Sequence, residues 1–224
     1  MAKVFIGVGH GGMDSGALGG GLREADINLV MALTMAEELR RHGVQVAMSR
    51  TKDENDPLEE EITEANAYGP DLAIDVHNNA GGGDGFECYV QTNQYAKMSR
   101  TFGEALERQV VAIGQNSRGV KIRTYTGGDY YGFLRRVKSP AVLVEGAFLD
   151  TADRQIIDTA EKQQAFGRAY AKAALEVLGI PWQELQEDQG LREKVETLER
   201  EKAALETKNA ALAAKIIAAK AALG

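Results

Sequence analysis

The chain has 224 residues, is 44% hydrophobic and holds four prolines and one cysteine, which is enough for one domain with a real core plus an accessory segment. A lone Cys88 excludes an internal disulfide framework, and a formal net charge of -7 argues against a general nucleic-acid binder, whose phosphate contacts need a surplus of Lys and Arg. The apolar run at the N-terminus is too short for a secretion signal, and no run approaches the about 20 apolar residues of a membrane-spanning helix. The expectation is a soluble chain without membrane insertion, either reduced in the cytoplasm or able to stand without cross-links outside it, with any export by another route.

From Lys3 to Ile180, short β-branched runs alternate with longer helical periodicity, the pattern of an α/β domain. It predicts a single twisted, mostly parallel sheet with helices on both faces. Strands are expected near 3–8, 44–49, 71–77, 85–91 and 140–145. Between the first two, Ile27, Val30, Met31, Met35 and Leu39 form a helical stripe over 25–42 that Gly43 ends. Helical periodicity also covers 95–113 and 151–178, the latter opened by Asp150 and Thr151 and closed before Pro181. The division is therefore a domain over 1–180, a linker over 181–190 and a separate segment over 191–224.

The last segment is rich in Ala, Glu, Lys and Leu. Leu191, Leu198, Leu205, Leu212 and Ala219 recur every seven residues, with Val195, Lys202, Asn209, Ile216 and Leu223 as the second position of the seam. Leucine at d with a lone Asn at a favours a parallel two-stranded coiled coil, so self-association through 191–223 as a homodimer is expected. The competing readings are one alanine-rich helix lying on the domain, or an oligomer of another order. The segment carries a net +2, leaving -9 on residues 1–190.

Two of the three histidines fall where strands should end. His10 leads into Gly11 and Gly12, and His77 into Asn78 and Asn79. Ligands of open α/β sheets bind outside the carboxyl ends of the strands, so the two imidazoles can converge there, although a lone His is more often structural. A catalytic zinc site takes three protein ligands, and two histidines with a carboxylate form one such set. Glu24 at the start of the first helix can complete it, with Asp14 and Asp26 as rivals; alternatively Glu24 only offsets the helix dipole. Glu145 ends the apolar run 141–144. A buried carboxylate must be paired, protonated or beside a metal, and near a metal it would serve as a general base.

Gly9 to Ala17, Arg23 to Leu29, Asp75 to Ala80 and Ala141 to Leu149, taken together and in order, resemble the zinc-dependent N-acetylmuramoyl-L-alanine amidases of the type-three class. The resemblance covers about residues 3–178. It implies that His10, Glu24 and His77 ligate Zn2+, that Glu145 is the catalytic acid-base, and that the substrate is peptidoglycan, cut between N-acetylmuramic acid and L-alanine. It also suggests a phage or prophage endolysin that accumulates in the cytoplasm and reaches the wall once the membrane is permeabilised. Asn66, Asn78 and Arg135 are candidate substrate contacts, with structural roles as the alternative. Two departures stand out: Asp75 occupies a position where the family usually has Ser, and Glu59 to Glu61 a region where it often has Arg. The readings that compete with an endolysin are a host amidase of sporulation or mother-cell lysis, a zinc hydrolase of another wall bond, and a non-catalytic wall-binding scaffold built on the coiled coil.

Overall fold

A computed structural model describes residues 1–184 and 197–209. The chain runs through β1 (Lys3–Val8), a small hairpin β2 (Leu18–Gly19) and β3 (Leu22–Arg23), α1 (Glu24–Arg41), β4 (Gln45–Met48) and α2 (Leu58–Tyr68). It continues with β5 (Leu72–Asn79), β6 (Phe86–Val90), α3 (Ala96–Ala112), β7 (Ser117–Lys121) and a second hairpin, β8 (Thr124–Tyr125) and β9 (Gly128–Asp129). Then follow α4 (Gly132–Arg136), β10 (Ala141–Phe148), a 3-10 turn (Ala152–Ile156) and α5 (Ala160–Val177).

Six strands form the main sheet in the order β4, β1, β5, β10, β6, β7. All neighbours are parallel except β10 and β6, so the mostly parallel sheet expected from the alternation is present. Side chains of a strand alternate between faces, and the cores divide on that alternation. Val4, Ile6, Val8, Ile74, Val76, Val142 and Val144 pack with α1, α3 and α5 in the larger core. Phe5, Ala73, Ala141 and Leu143, one residue out of phase, pack with Ile62 and Ala65 of α2 and Phe133 and Leu134 of α4. Helices therefore cover both faces.

Four expectations change in detail. β7 was not anticipated, because Ser117, Arg118, Gly119 and Lys121 give an edge strand little apolar alternation. α2 was also missed, since only Glu61, Ile62 and Ala65 of its eleven residues are buried. The helix expected over 151–178 is two elements: Thr151 caps the 3-10 turn by accepting from the Asp153 amide, and Thr159 caps α5 by accepting from Lys162. β5 and β10 run on to Asn79 and Phe148, and the register between them slips after Glu145. Such bulges bend a strand and re-aim side chains.

Met1–Trp182 forms one compact unit. Residues 197–209 are helical, and they carry Leu198 and Leu205, both exposed, with Lys202 and Asn209 on the second position of the expected seam. The other heptad positions lie outside the described residues. No described helix is long and apolar enough to cross a membrane.

Candidate metal centre

The odd-numbered residues of β1, β5 and β10 face α2 and α4. Toward the carboxyl ends of these strands that face changes from apolar to polar: Phe5 gives way to Gly7, Ala73 to Asp75 and His77, and Leu143 to Glu145. His77 and Glu145 are register partners on adjacent strands. Gly9 continues β1 past its end, where its amide donates to Val76 O at 3.1 Å. A side chain at Gly9 would overlap the His77 imidazole, so glycine there makes room for the ring.

His10 then turns with a φ of 64°, in the left-handed region that a non-glycine residue rarely adopts. The turn is closed by two backbone hydrogen bonds between Gly11 and Asp14. It presents His10 edge-on to His77, with ring centroids 5.0 Å apart and planes at 88°. Glu24, the first residue of α1, enters between them. Its Oε1 lies 3.2 Å from His10 Nε2 and 3.1 Å from His77 Nδ1. The same oxygen accepts from the Asn78 amide at 3.0 Å, and Oε2 accepts from the Ala17 amide at 2.8 Å.

Two ligand atoms about 2.0–2.1 Å from a tetrahedral zinc stand roughly 3.3 Å apart. The 3.1 and 3.2 Å separations about Glu24 Oε1 match that spacing, and the three ligand atoms all lie within 4.8 Å of one another. The donor set therefore fits the ion. Electrostatics agree. Burial pushes the Glu24 carboxyl up, but the His10 and His77 hydrogen bonds outweigh it and hold the group well below the usual carboxylate range. Burial disfavours charge on both imidazoles, yet Glu24 raises His10, and Asp75 with Glu24 raises His77 well above its ordinary value. A cluster this negative attracts positive charge, whether as protons or as a metal dication.

Among the rival carboxylates, Asp14 accepts from the nitrogen of His10 that points away, with Nδ1 to Oδ2 at 2.9 Å. Asp26 is exposed and pairs with Arg23. Glu145 lies at the end of the same face. Its Oε2 is buried without a hydrogen-bond partner, and burial pushes its carboxyl up to about 7 against the opposing pull of His77. A cavity of about 240 Å³ opens beside the cluster, lined by His10, His77, Asp56, Glu61, Asp75 and Tyr131 among others.

The three residues singled out as substrate contacts sit apart from that cluster or behind it. Asn66 spends its amide tying α2 to the turn after α4, donating to Arg136 O and accepting from the Lys138 amide. Arg135 donates to Asp129 O and Tyr130 O, bracing the β8–β9 hairpin. Both line a separate cavity of about 550 Å³. Asn78 is 2% exposed, bonded to Asn28 Oδ1 and to the Ala147 amide; it braces the ligand segments from behind, out of reach of a substrate. Arg50 was not among the candidate site residues. Fully buried, it donates to Val8 O, Gly9 O, Lys52 O and Ala25 O and so pins the starts of both ligand segments.

The fold and this cluster define an α/β protein with a site of two half-buried histidines and one buried glutamate at the carboxyl edge of its sheet. A family model for N-acetylmuramoyl-L-alanine amidase matches residues 4–176, and the chain belongs to that family. It is 34% identical over 175 residues to the sporulation-specific N-acetylmuramoyl-L-alanine amidase of Bacillus subtilis (strain 168), covering 76% of this chain and 66% of that protein. It is 34% identical over 161 residues to the endolysin of Bacillus phage SPP1, covering 68% of this chain and 57% of the phage protein. Among solved structures, Cwp6 from Clostridium difficile superimposes with a TM-score of 0.76 at 33% identity, over 79% of this chain and 29% of that one. The chain thus spans less than two thirds of the length of each of these relatives.

Proposed function

We propose that the protein hydrolyses the amide between N-acetylmuramic acid and L-alanine in peptidoglycan, with His10, Glu24 and His77 holding Zn2+ and Glu145 as the catalytic acid-base. The observation that carries this reading is the convergence of the two imidazoles and a buried carboxylate at zinc-ligand spacing, in a chain matched to the amidase family over 4–176. When bound, zinc supplies Lewis acidity toward the scissile carbonyl and acidifies water. Glu145 takes a proton as water oxygen attacks the carbonyl carbon, and returns it to the nitrogen as the C–N bond breaks. A carboxyl that titrates near neutrality suits both halves of that exchange. Arg50 and Asn78 keep the ligand segments in place, and Arg135 and Asn66 act on the shape of the neighbouring cavity.

Digestion of purified peptidoglycan, with identification of the new amine, tests this. Release of L-alanine amino termini is expected, abolished by a chelator and lowered about 10²- to 10⁴-fold by Glu145→Ala, the range general acid-base groups supply. A different new terminus moves the activity to another wall bond. No new terminus despite bound zinc leaves a binding role.

Residues 1–180 form the catalytic domain and 181–190 the linker in this proposal. The 191–223 helix makes a parallel homodimer whose two catalytic domains act on one wall by avidity. Deleting 191–224 should leave hydrolysis of soluble muropeptides unchanged and slow lysis of whole walls; equal lysis by both forms overturns the role of the tail. Likeness to a phage endolysin supports accumulation in the cytoplasm and release on permeabilisation. Likeness to a sporulation amidase supports the second reading, a host enzyme.

A further inference from the structure

We propose that Asp75 is a positioning residue of the metal centre: it holds the outer nitrogen of His77 so that Nδ1 faces Glu24, and Glu61 closes the far side of the Asp75 carboxylate. The inference rests on the metal-centre reading above. The two histidines are presented in opposite senses. His10 turns Nε2 to Glu24 and Nδ1 to Asp14, while His77 turns Nδ1 to Glu24 and Nε2 to Asp75 Oδ1 at 3.2 Å. Each imidazole thus has a carboxylate at the nitrogen that points away from the cluster, the arrangement that fixes tautomer and ring angle and raises ligand basicity in metal sites. The two holds differ in strength. The Asp14 side chain is 70% exposed and screened by water, whereas that of Asp75 is 3% exposed and acts in a low dielectric.

Asp75 is not alone in its pocket. Glu61 of α2 is buried against it, and neither Asp75 Oδ1 nor Glu61 Oε1 has a hydrogen-bond donor other than what the imidazole or a proton can offer. Both oxygens converge over Gly7. A Cβ there would overlap Glu61 Oε1 and stand 3.1 Å from Asp75 Oδ1, so the strand gives up a side chain where the two carboxylates meet. Burial, then the charges of Asp75 and Asp56, push the Glu61 carboxyl well above its ordinary value. The two departures from the family pattern, distant in sequence, are neighbours here and form one feature.

The test is zinc affinity by competition with a chromogenic chelator, together with the visible spectrum of the Co2+-substituted protein, for wild type, Asp75→Ser, Asp75→Asn, Glu61→Gln and His77→Ala. Asp75→Ser should weaken zinc binding about 10- to 100-fold and shift the cobalt bands. Asp75→Asn, which conserves shape, should fall between Asp75→Ser and wild type and carries the test if the serine variant fails to fold. Glu61→Gln, which keeps the shape of the side chain and offers an amide donor toward Asp75, should bind zinc like wild type. Folded Asp75 variants with wild-type affinity and spectrum, beside a weakened His77→Ala, would overturn the role of Asp75 alone. Unchanged binding in His77→Ala would overturn the metal centre and this inference together.

Discussion

The two faces of the main sheet are made by the same three strands, one residue out of phase, and they are built for different ends. Toward α1, α3 and α5, β1, β5 and β10 present valine and isoleucine along most of their length. Toward α2 and α4 they begin with Phe5, Ala73 and Leu143 and end with Gly7, Asp75, His77 and Glu145. Burial of the first face supplies hydrophobic stabilisation. The second face holds buried carboxylate oxygens without hydrogen-bond partners, on Asp75 and Glu145. Because alternation fixes which residues fall on which side, a change in register of one residue would exchange the two sets and destroy both. Stability and chemistry are thus separable by residue parity, and substitutions can be chosen to strike one without the other.

The largest effect is expected on the apolar face. Phe166 of α5 is fully buried in the larger core, so Phe166→Ala should cost about 3–5 kcal/mol in denaturant unfolding. The turnover of the protein that remains folded should stay near wild type. A large fall in turnover at full folding would show that the faces are coupled. Arg50 joins them: Arg50→Met removes the guanidinium donors to Val8 O, Ala25 O and Gly9 O, of which Gly9 O keeps the Asn28 amide, and should cost roughly 2–4 kcal/mol, with weaker zinc binding measured alongside. The smallest effect is the pH dependence of the metal-free protein. Burial raises Glu145 to about 7 from 4.5, so the folded state holds this proton more tightly than the unfolded one. Its contribution is complete below about pH 4.5 and is lost as pH rises toward 7. Glu145→Gln should flatten that part of the stability profile, by about 1–3 kcal/mol between the two ends. An unchanged slope in urea titrations would refute the assignment.

What the sequence revealed follows the same division. β1, β5 and β10 are continuous apolar runs, and they were legible to within a few residues. Their ends were placed short because Asn78, Asn79 and the residues after Glu145 read as a turn, whereas β5 continues and sends Asn78 to the opposite face from His77, against Asn28. The histidines and Glu145 were visible as polar residues ending apolar strands. The residue pattern alone left Glu24, Asp14 and Asp26 as rivals, and only the family resemblance named Glu24, since all three lie within the same short stretch and differ in which way α1 and its preceding turn point them. The role of Arg50 had no signal at all. Its partners are backbone carbonyls on separate segments, which no pattern of side chains records. Glu61 read as one acid in a charged run, because three buried residues in an eleven-residue helix leave too weak a periodicity to detect.

The left-handed backbone of His10 carries a consequence for how such a chain evolves. A φ of 64° suits glycine or asparagine better than histidine, so His10→Gly should relieve strain of order 1 kcal/mol while, on the proposed function, removing a zinc ligand and with it wall hydrolysis. Thermal robustness and wall hydrolysis therefore pull this position in opposite directions. A library screened for heat resistance alone would drift toward inactive sequences at this turn, and only a screen that retains lysis would keep the imidazole.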